Sequence, residues 1–287
     1  MAIKEKRLIA LDVDGTLLDS RKQIRPDTAQ AVREAAGAGI IVALDTGRAV
    51  TELADQFAAF PEIRYAVFSS GAGIYDREKK KAFDLRPLSA QKVKEILRIA
   101  REKDVMPQAV LEDRDAVQAG HLDILEHFNM GIYRPLYEKA MYPVADIYAF
   151  TEAHADQILK LNLYHALPEE RIRTREQLSG IEMVFSEISS LECSAPGVNK
   201  GTGLERLCGL LGIPRENCAA VGDAENDIPM LRAAGLGIAM GNAAPDVRRA
   251  ADRTVADMDH GGCAEAIRLW IRESENYASA GAGHQSG

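Results

Sequence analysis

The chain has 287 residues, 46% of them hydrophobic, and 35 Lys and Arg stand against 43 Asp and Glu for a formal net charge of −8. That length allows a substantial core and suits two ordinary domains, while the acidic balance, relieved only by the short run Glu78-Lys79-Lys80-Lys81, argues against nucleic acid as a partner. Cys193, Cys208, Cys218 and Cys263 lie far apart with no Cys-x-x-Cys and no paired histidine spacing, which excludes a zinc or disulfide framework; the absence of an apolar leader and of any apolar run near 18 residues makes a cytosolic protein with no membrane partner the expectation.

Residues 8–18 read LIALDVDGTLL, an apolar run suited to a strand buried on both faces that ends in two carboxylates, Asp12 and Asp14. Residues i and i+2 of an extended chain project to one side, so the two acids share a point beyond the strand's carboxyl end, where open α/β sheets bind ligands. The plainer alternative is that Asp14-Gly15 is simply a turn. A helix from Pro26 and a buried strand over 40–44 follow, predicting a parallel pair with a right-handed crossover. The second strand closes in Asp45-Thr46-Gly47-Arg48 ahead of a predicted helix over 49–60. Thr46 and Gly47 there fit a phosphate site at a helix start, or Thr46 merely caps that helix and Arg48 is a surface residue.

A third strand over 65–68 leads into Ser69-Ser70-Gly71-Ala72, and the basic run beyond it reads as a hairpin tip between two strand-like segments. From 85 to 190 the texture changes to an α+β pattern without acid-tipped strands: helices over 89–103, 121–128 and 168–178, and strands over 107–110, 116–118, 158–165 and 181–187. Its polar candidates include His121, Asp123, Arg134 and His165. Lys200 opens a helix to about residue 211, as a solvated end or as a cation held near Asp12 and a phosphate. The strand 218–222 ends in Asp223-Ala224-Glu225-Asn226-Asp227, with Asp227 one helical turn beyond Asp223 and facing the same way. Strands over 236–243 and 251–255 and a helix over 262–273 finish the sheet, and the tail 274–287 reads as disordered.

Asp12-x-Asp14-Gly15-Thr16, Thr46-Gly47-Arg48, Lys200 and Gly222-Asp223-x-x-x-Asp227, in that order, resemble the four motifs of the haloacid dehalogenase-like superfamily, and the large insertion before Lys200 resembles its Cof-type (class IIB) branch. The resemblance implies a doubly wound parallel-sheet core, 1–84 plus 191–273, with an inserted α+β cap, 85–190, that selects substrate. Relatives usually carry Asn where Ser70 stands. It further implies a magnesium-dependent phosphatase of small phosphate esters, monomeric or weakly dimeric. Asp12 would be the nucleophile and Asp14 the acid and base; Asp12, Asp14 (through its main-chain carbonyl) and Asp223 would bind magnesium. Thr46, Gly47, Lys200 and Asn226 would hold phosphate, supported by Asp227. The cluster of carboxylates without histidine or thiolate independently suits a hard cation. A phosphosugar mutase of the same cap class and a non-catalytic phosphate-sensing domain are the alternatives.

Overall fold

Alternation along the first strand determines how the molecule is layered. In a computed structural model, which describes residues 6–282, strand β1 (Arg7–Leu11) sends Ile9 and Leu11 to one face and Leu8 and Ala10 to the other, and both sets are fully buried. Ile9 and Leu11 pack with Val32 and Ala35 of the helix Pro26–Gly37 and with Ile267 and Trp270 of the helix Gly262–Ala282. Leu8 and Ala10 pack with Leu204 and Leu207 of the helix Lys200–Leu211 and with Met230 and Leu231 of the helix Ile228–Ala233. A strand covered on both faces has to be apolar throughout, which is why its first acids appear only where it ends.

The remaining strands are β2 (Ile40–Asp45), β3 (Tyr65–Phe68), β4 (Gly73–Asp76), β5 (Lys81–Phe83), β6 (Val105–Val110), β7 (Asp115–Gln118), β8 (Met141–Val144), β9 (Lys160–His165), β10 (Glu182–Val184), β11 (Ser190–Ser194), β12 (Cys218–Gly222), β13 (Leu236–Ala239) and β14 (Arg253–Thr254). They form an eight-stranded sheet, β14-β13-β12-β1-β2-β3-β4-β5, and a six-stranded sheet, β10-β11-β9-β6-β7-β8. In the first, β14 through β3 run parallel and the β4–β5 hairpin is antiparallel. The second is antiparallel except where β7 meets β8. One face of it lies under the helices Ala90–Ala100 and Ile147–Ala153, through Val93, Ile96, Leu97 and Ile147 against Ala109, Leu161, Leu163 and Leu191.

Three expectations are corrected. The second unit extends beyond 190, because β11 pairs with β9 and β10; the return to the first unit falls after Ser194. The tail expected to be disordered from residue 274 instead continues the last helix to Ala282, and 283–287 lie outside the described residues. The stretch 49–60 is broken into a 3₁₀ turn, Val50–Leu53, and a short helix, Ala54–Ala59, with the Glu52 carboxylate accepting the Ala49 N–H at its start.

Candidate active site

Because β1 sits between β12 and β2, the residues that follow these three strands meet at one rim. Asp12 follows β1, Asp223 follows β12 and Thr46 follows β2. Lys200, the first residue of its helix, is 1% exposed and donates to Asp12 Oδ1 at 2.6 Å and to Asp227 Oδ1 at 2.5 Å. The other Asp227 oxygen accepts the N–H groups of Asp223 and Ala224 at 2.8 and 2.9 Å. Asp227 is therefore fully engaged in holding Lys200 and the Asp223 loop.

Carboxylate oxygens of Asp12, Asp223 and Asp227 lie within 4.8 Å of one another. Burial pushes Asp12 well above the usual carboxylate range, Lys200 pulls it back, and Asp227 and Asp223 push it up again. Burial, then Asp227, lifts Asp223 to about 7. Burial lowers the Lys200 ammonium's proton affinity, but Asp12 and Asp227 more than restore it and the balance is upward. One lysine among these acids leaves negative charge in excess, and an all-oxygen donor set of this kind fits a hard divalent cation such as magnesium. Asp223 is steadied by Thr16 Oγ1 at 3.3 Å and Asn242 Nδ2 at 2.9 Å. Its approach depends on Gly15: the backbone there has φ +84°, and a Cβ would stand 2.3 Å from Asp223 Oδ2.

The Asp14 side chain stands apart from that cluster. Arg48 grips it with Nε at 2.7 Å and Nη2 at 2.9 Å, and Lys22 Nζ adds a third bond at 2.9 Å. Burial would raise its pKa, but Arg48 and then Lys22 outweigh burial and bring it to about 2, so Asp14 held this way is a carboxylate. Arg48 is thus part of the site, and Lys22 joins it unanticipated. Lys22 also donates to the Tyr133 hydroxyl at 2.8 Å, and Tyr133 donates to Glu187, a chain that crosses from the first unit into the second.

Thr46 is 1% exposed, and its Oγ1 accepts the Arg48 N–H at 3.1 Å instead of capping a helix. The Arg48 N–H is bound to Thr46 and the Ala49 N–H to Glu52, so the Thr46 hydroxyl and the Gly47 N–H are the donors of this loop that face an incoming ligand without such a partner. Asn226 is buried beside the rim and its Oδ1 has no partner among the described residues, while Glu225 is exposed. Asp45, fully buried with neither oxygen partnered among the described residues, is raised well above the usual range by burial.

Above the rim, a cavity of about 90 Å³ runs from Asp12, Thr46 and Asn226 to the inner face of the second sheet. Lys160 of β9, 1% exposed, donates to the Gly47 carbonyl at 2.6 Å and pairs with Glu192 of β11 at 3.1 Å. Ser70 donates to Glu192 at 2.5 Å, so the residue standing where relatives usually have Asn fastens the second unit to the first. Burial opposes ionisation of Glu192, yet Lys160 and Ser70 bring its pKa below the ordinary value.

None of His121, Asp123, Arg134 and His165 is among the residues lining this cavity. His165 is fully buried between Thr174 and Ser189, Arg134 pairs with Glu126, His121 packs on Phe128, and Asp123 is exposed. The lining comes instead from Gln108, Met130, Tyr133, Lys160, Asn162 and Glu187. The available signal was K-L-N-L-Y in β9, where polar residues alternate with leucines.

An acid-tipped parallel sheet with a buried lysine between two aspartates, facing an inserted second sheet, is the layout of a capped, doubly wound α/β enzyme. A family model described as haloacid dehalogenase-like hydrolase matches residues 9–267, and the chain belongs to that family, as an enzyme of its phosphoric monoester hydrolase branch with the Cof-type layout. It is 30% identical to the phosphatase YwpJ of Bacillus subtilis (strain 168), over 91% of this chain and 99% of that one. It is 27% identical to the pyridoxal phosphate phosphatase YbhA of Escherichia coli (strain K12), over 88% and 93%. The subclass IIB sugar phosphatase BT4131 shares the fold, with a TM-score of 0.80 and 23% identity over 92% of this chain and 99% of that one. Among the described residues, no helix is long and apolar enough to cross a membrane.

Proposed function

We propose that the protein is a magnesium-dependent phosphatase that hydrolyses small phosphate monoesters, sugar phosphates or metabolites of that size, through an aspartyl-phosphate on Asp12. The observation that carries this reading is the buried Lys200 clamped between Asp12 and Asp227 with the Asp223 carboxylate alongside. Magnesium bound by Asp12, Asp223 and the main-chain carbonyl of Asp14 would offset repulsion between the nucleophile and an anionic ester and stabilise charge on the transferring phosphoryl group.

Lys200 holds Asp12 Oδ1, which leaves Oδ2 as the attacking atom. The new Oδ2–P bond forms as the ester O–P bond breaks, and a proton from Asp14 goes to the departing oxygen. Asp14 then takes a proton from water, which attacks phosphorus, releases phosphate and regenerates the Asp12 carboxylate. The ion-paired Asp14 of this structure is the base form; the acid form requires Arg48 and Lys22 to let go, and an incoming phosphate dianion competes for both cations. Thr46, Gly47, Lys200 and Asn226 would hold the remaining phosphate oxygens. The unit from about 85 to Ser194 would select the leaving group, which suits relatives named for pyridoxal phosphate and HMP-PP. The test is a turnover screen over a panel of phosphate esters with magnesium and after exhaustive chelation. Magnesium-dependent release of phosphate is expected, and full turnover in the chelated protein would overturn the reading.

A further inference from the structure

We infer that Lys160, although it belongs to the second unit, is a positioning residue for the reaction at the rim: its ammonium holds the Gly47–Arg48 peptide so that the Thr46 hydroxyl donates toward the bound phosphate. The inference rests on the phosphatase reading for the reaction but not for the loop geometry. The loop 46–48 is held mostly from within the first unit. Thr46 N–H donates to the Val67 carbonyl at 3.0 Å, Ser70 N–H to the Thr46 carbonyl at 3.0 Å, and Ser69 N–H to the Arg48 carbonyl at 2.9 Å. Arg48 N–H donates to Thr46 Oγ1 at 3.1 Å. The Gly47 carbonyl is the exception: its donor is Lys160 Nζ at 2.6 Å, from β9 of the other sheet.

The carbonyl of Gly47 and the N–H of Arg48 belong to one planar peptide unit and point in opposite directions, so a cation that fixes the first also fixes the second. With the Arg48 N–H kept on it, Thr46 Oγ1 is already an acceptor, and the hydroxyl's one proton is left for a group in the cavity that Thr46 lines. A peptide at glycine turns over more readily than others, and turned over here it would take the N–H away from Thr46 and leave the hydroxyl's direction unset. Lys160 does more than balance Glu192. It is 1% exposed, and two of its three ammonium hydrogens have acceptors in the first unit, Gly47 and, at 3.5 Å, Ser70 Oγ, against one in its own, Glu192 at 3.1 Å. The ion pair is seated directly on the loop: a Cβ at Gly47 would stand 3.2 Å from Glu192 Oε1, 3.4 Å from Ser70 Oγ and 3.6 Å from Lys160 Nζ. The phosphate loop is complete only with β9 against it, and the second unit thereby contributes to the chemistry of the rim as well as to the choice of ester.

The experiment is a double-mutant cycle between the Lys160–Glu192 pair and Thr46, with kcat on p-nitrophenyl phosphate and on a hexitol 6-phosphate read per folded protein. Lys160→Met/Glu192→Met removes the hold on Gly47 without stranding a buried charge. With Thr46 in place, this replacement should lower kcat about 10- to 100-fold on both esters alike, the scale set by a misplaced donor. Alongside Thr46→Val the same replacement should cost no more than about threefold, because the group it aims is gone. A general loosening of the fold would cost the same factor with or without the Thr46 hydroxyl, so equal losses in the two backgrounds would overturn the inference. A replacement that leaves kcat within about threefold of the wild type, or that slows only one of the two esters, would overturn it as well. Calorimetric binding of inorganic phosphate in the presence of magnesium runs the same cycle without turnover. A wild type that hydrolyses neither ester, yet loses phosphate affinity at least about tenfold on replacement of the pair and not alongside Thr46→Val, would remove the reaction and keep the inference. A wild type that hydrolyses both esters with additive losses would remove the inference alone, and one that neither hydrolyses nor binds phosphate would remove both.

Discussion

The rim of the first sheet and the inner face of the second are both crowded with buried polar groups, but they are balanced differently. At the rim, Asp12, Asp223 and Asp227 share a single lysine. On the cap face, Lys160 answers Glu192 one for one, and Gln108 gathers the donors of Asn162, Tyr137 and Tyr164. A site with surplus charge is built to receive ions of opposite sign, and one that is nearly self-satisfied is built to hold a shape. On the proposed function, chemistry would belong to the first and discrimination to the second, a division that substitutions can break.

The largest effect is expected at the rim. Asp12→Asn should cut turnover of every ester by at least about 10⁴-fold and form no phosphorylated enzyme, since a nucleophile cannot be replaced by positioning alone. Appreciable turnover in that variant would move the nucleophile elsewhere. Asp14→Asn should separate leaving groups. With p-nitrophenyl phosphate it should give a stoichiometric burst followed by a slow phase reduced about 10²- to 10⁴-fold, and with sugar phosphates almost no reaction. Parent rates on sugar phosphates would break the acid and base assignment.

The cap face offers a smaller test, read as stability. Lys160→Met strands the buried Glu192 carboxylate, and urea unfolding should show a loss of about 3–5 kcal/mol. The double variant Lys160→Met/Glu192→Met should recover much of it. Equal losses in the single and double variants would mean the pair is not what stabilises this face. The smallest effect joins the two regions. Asp14 is brought from 3.8 to about 2 on folding, a depressed value, so its contribution is present above pH 4 and disappears as pH falls through 2. That shift corresponds to about 2 kcal/mol. The stability gap between wild type and Asp14→Asn should therefore narrow from pH 5 to pH 2, and a gap independent of pH would show that the Arg48 and Lys22 pairing contributes nothing.

The same contrast explains what the sequence disclosed. Rim residues announce themselves because a strand buried on both faces is apolar until it ends, so that the acids of Asp-x-Asp and Gly-Asp stand out. The family resemblance added roles that spacing alone left open, for Thr46 and Lys200 above all. The second unit was read less well. The helix Arg134–Ala140 and strand β8 are short, and Pro143 within β8 is tolerated only because that strand lies at the sheet edge. The helix Ile147–Ala153 carried a legible start, since Asp146 accepts the N–H groups of Tyr148 and Ala149 at 2.9 and 3.0 Å. β11 was assigned to the core because the lysine motif follows it closely, although its pairing is with β9 and β10. Lys22 gave no signal, because its contact with Asp14 depends on a loop with positive φ that no local pattern marks.

Gly15 shows how one carboxylate of the rim constrains a distant part of the chain. The space its missing side chain leaves is occupied by Asp223, more than two hundred residues away in sequence, and the backbone there is already in a conformation that other residues resist. In a saturation library scored for activity, position 15 should consequently be as intolerant as the nucleophile itself, with even alanine among the losses. Its neighbour Val13, buried by ordinary packing, should be less intolerant, an added methylene there costing about 1–3 kcal/mol of stability. A position that touches no substrate would then be indispensable because of the volume it leaves free.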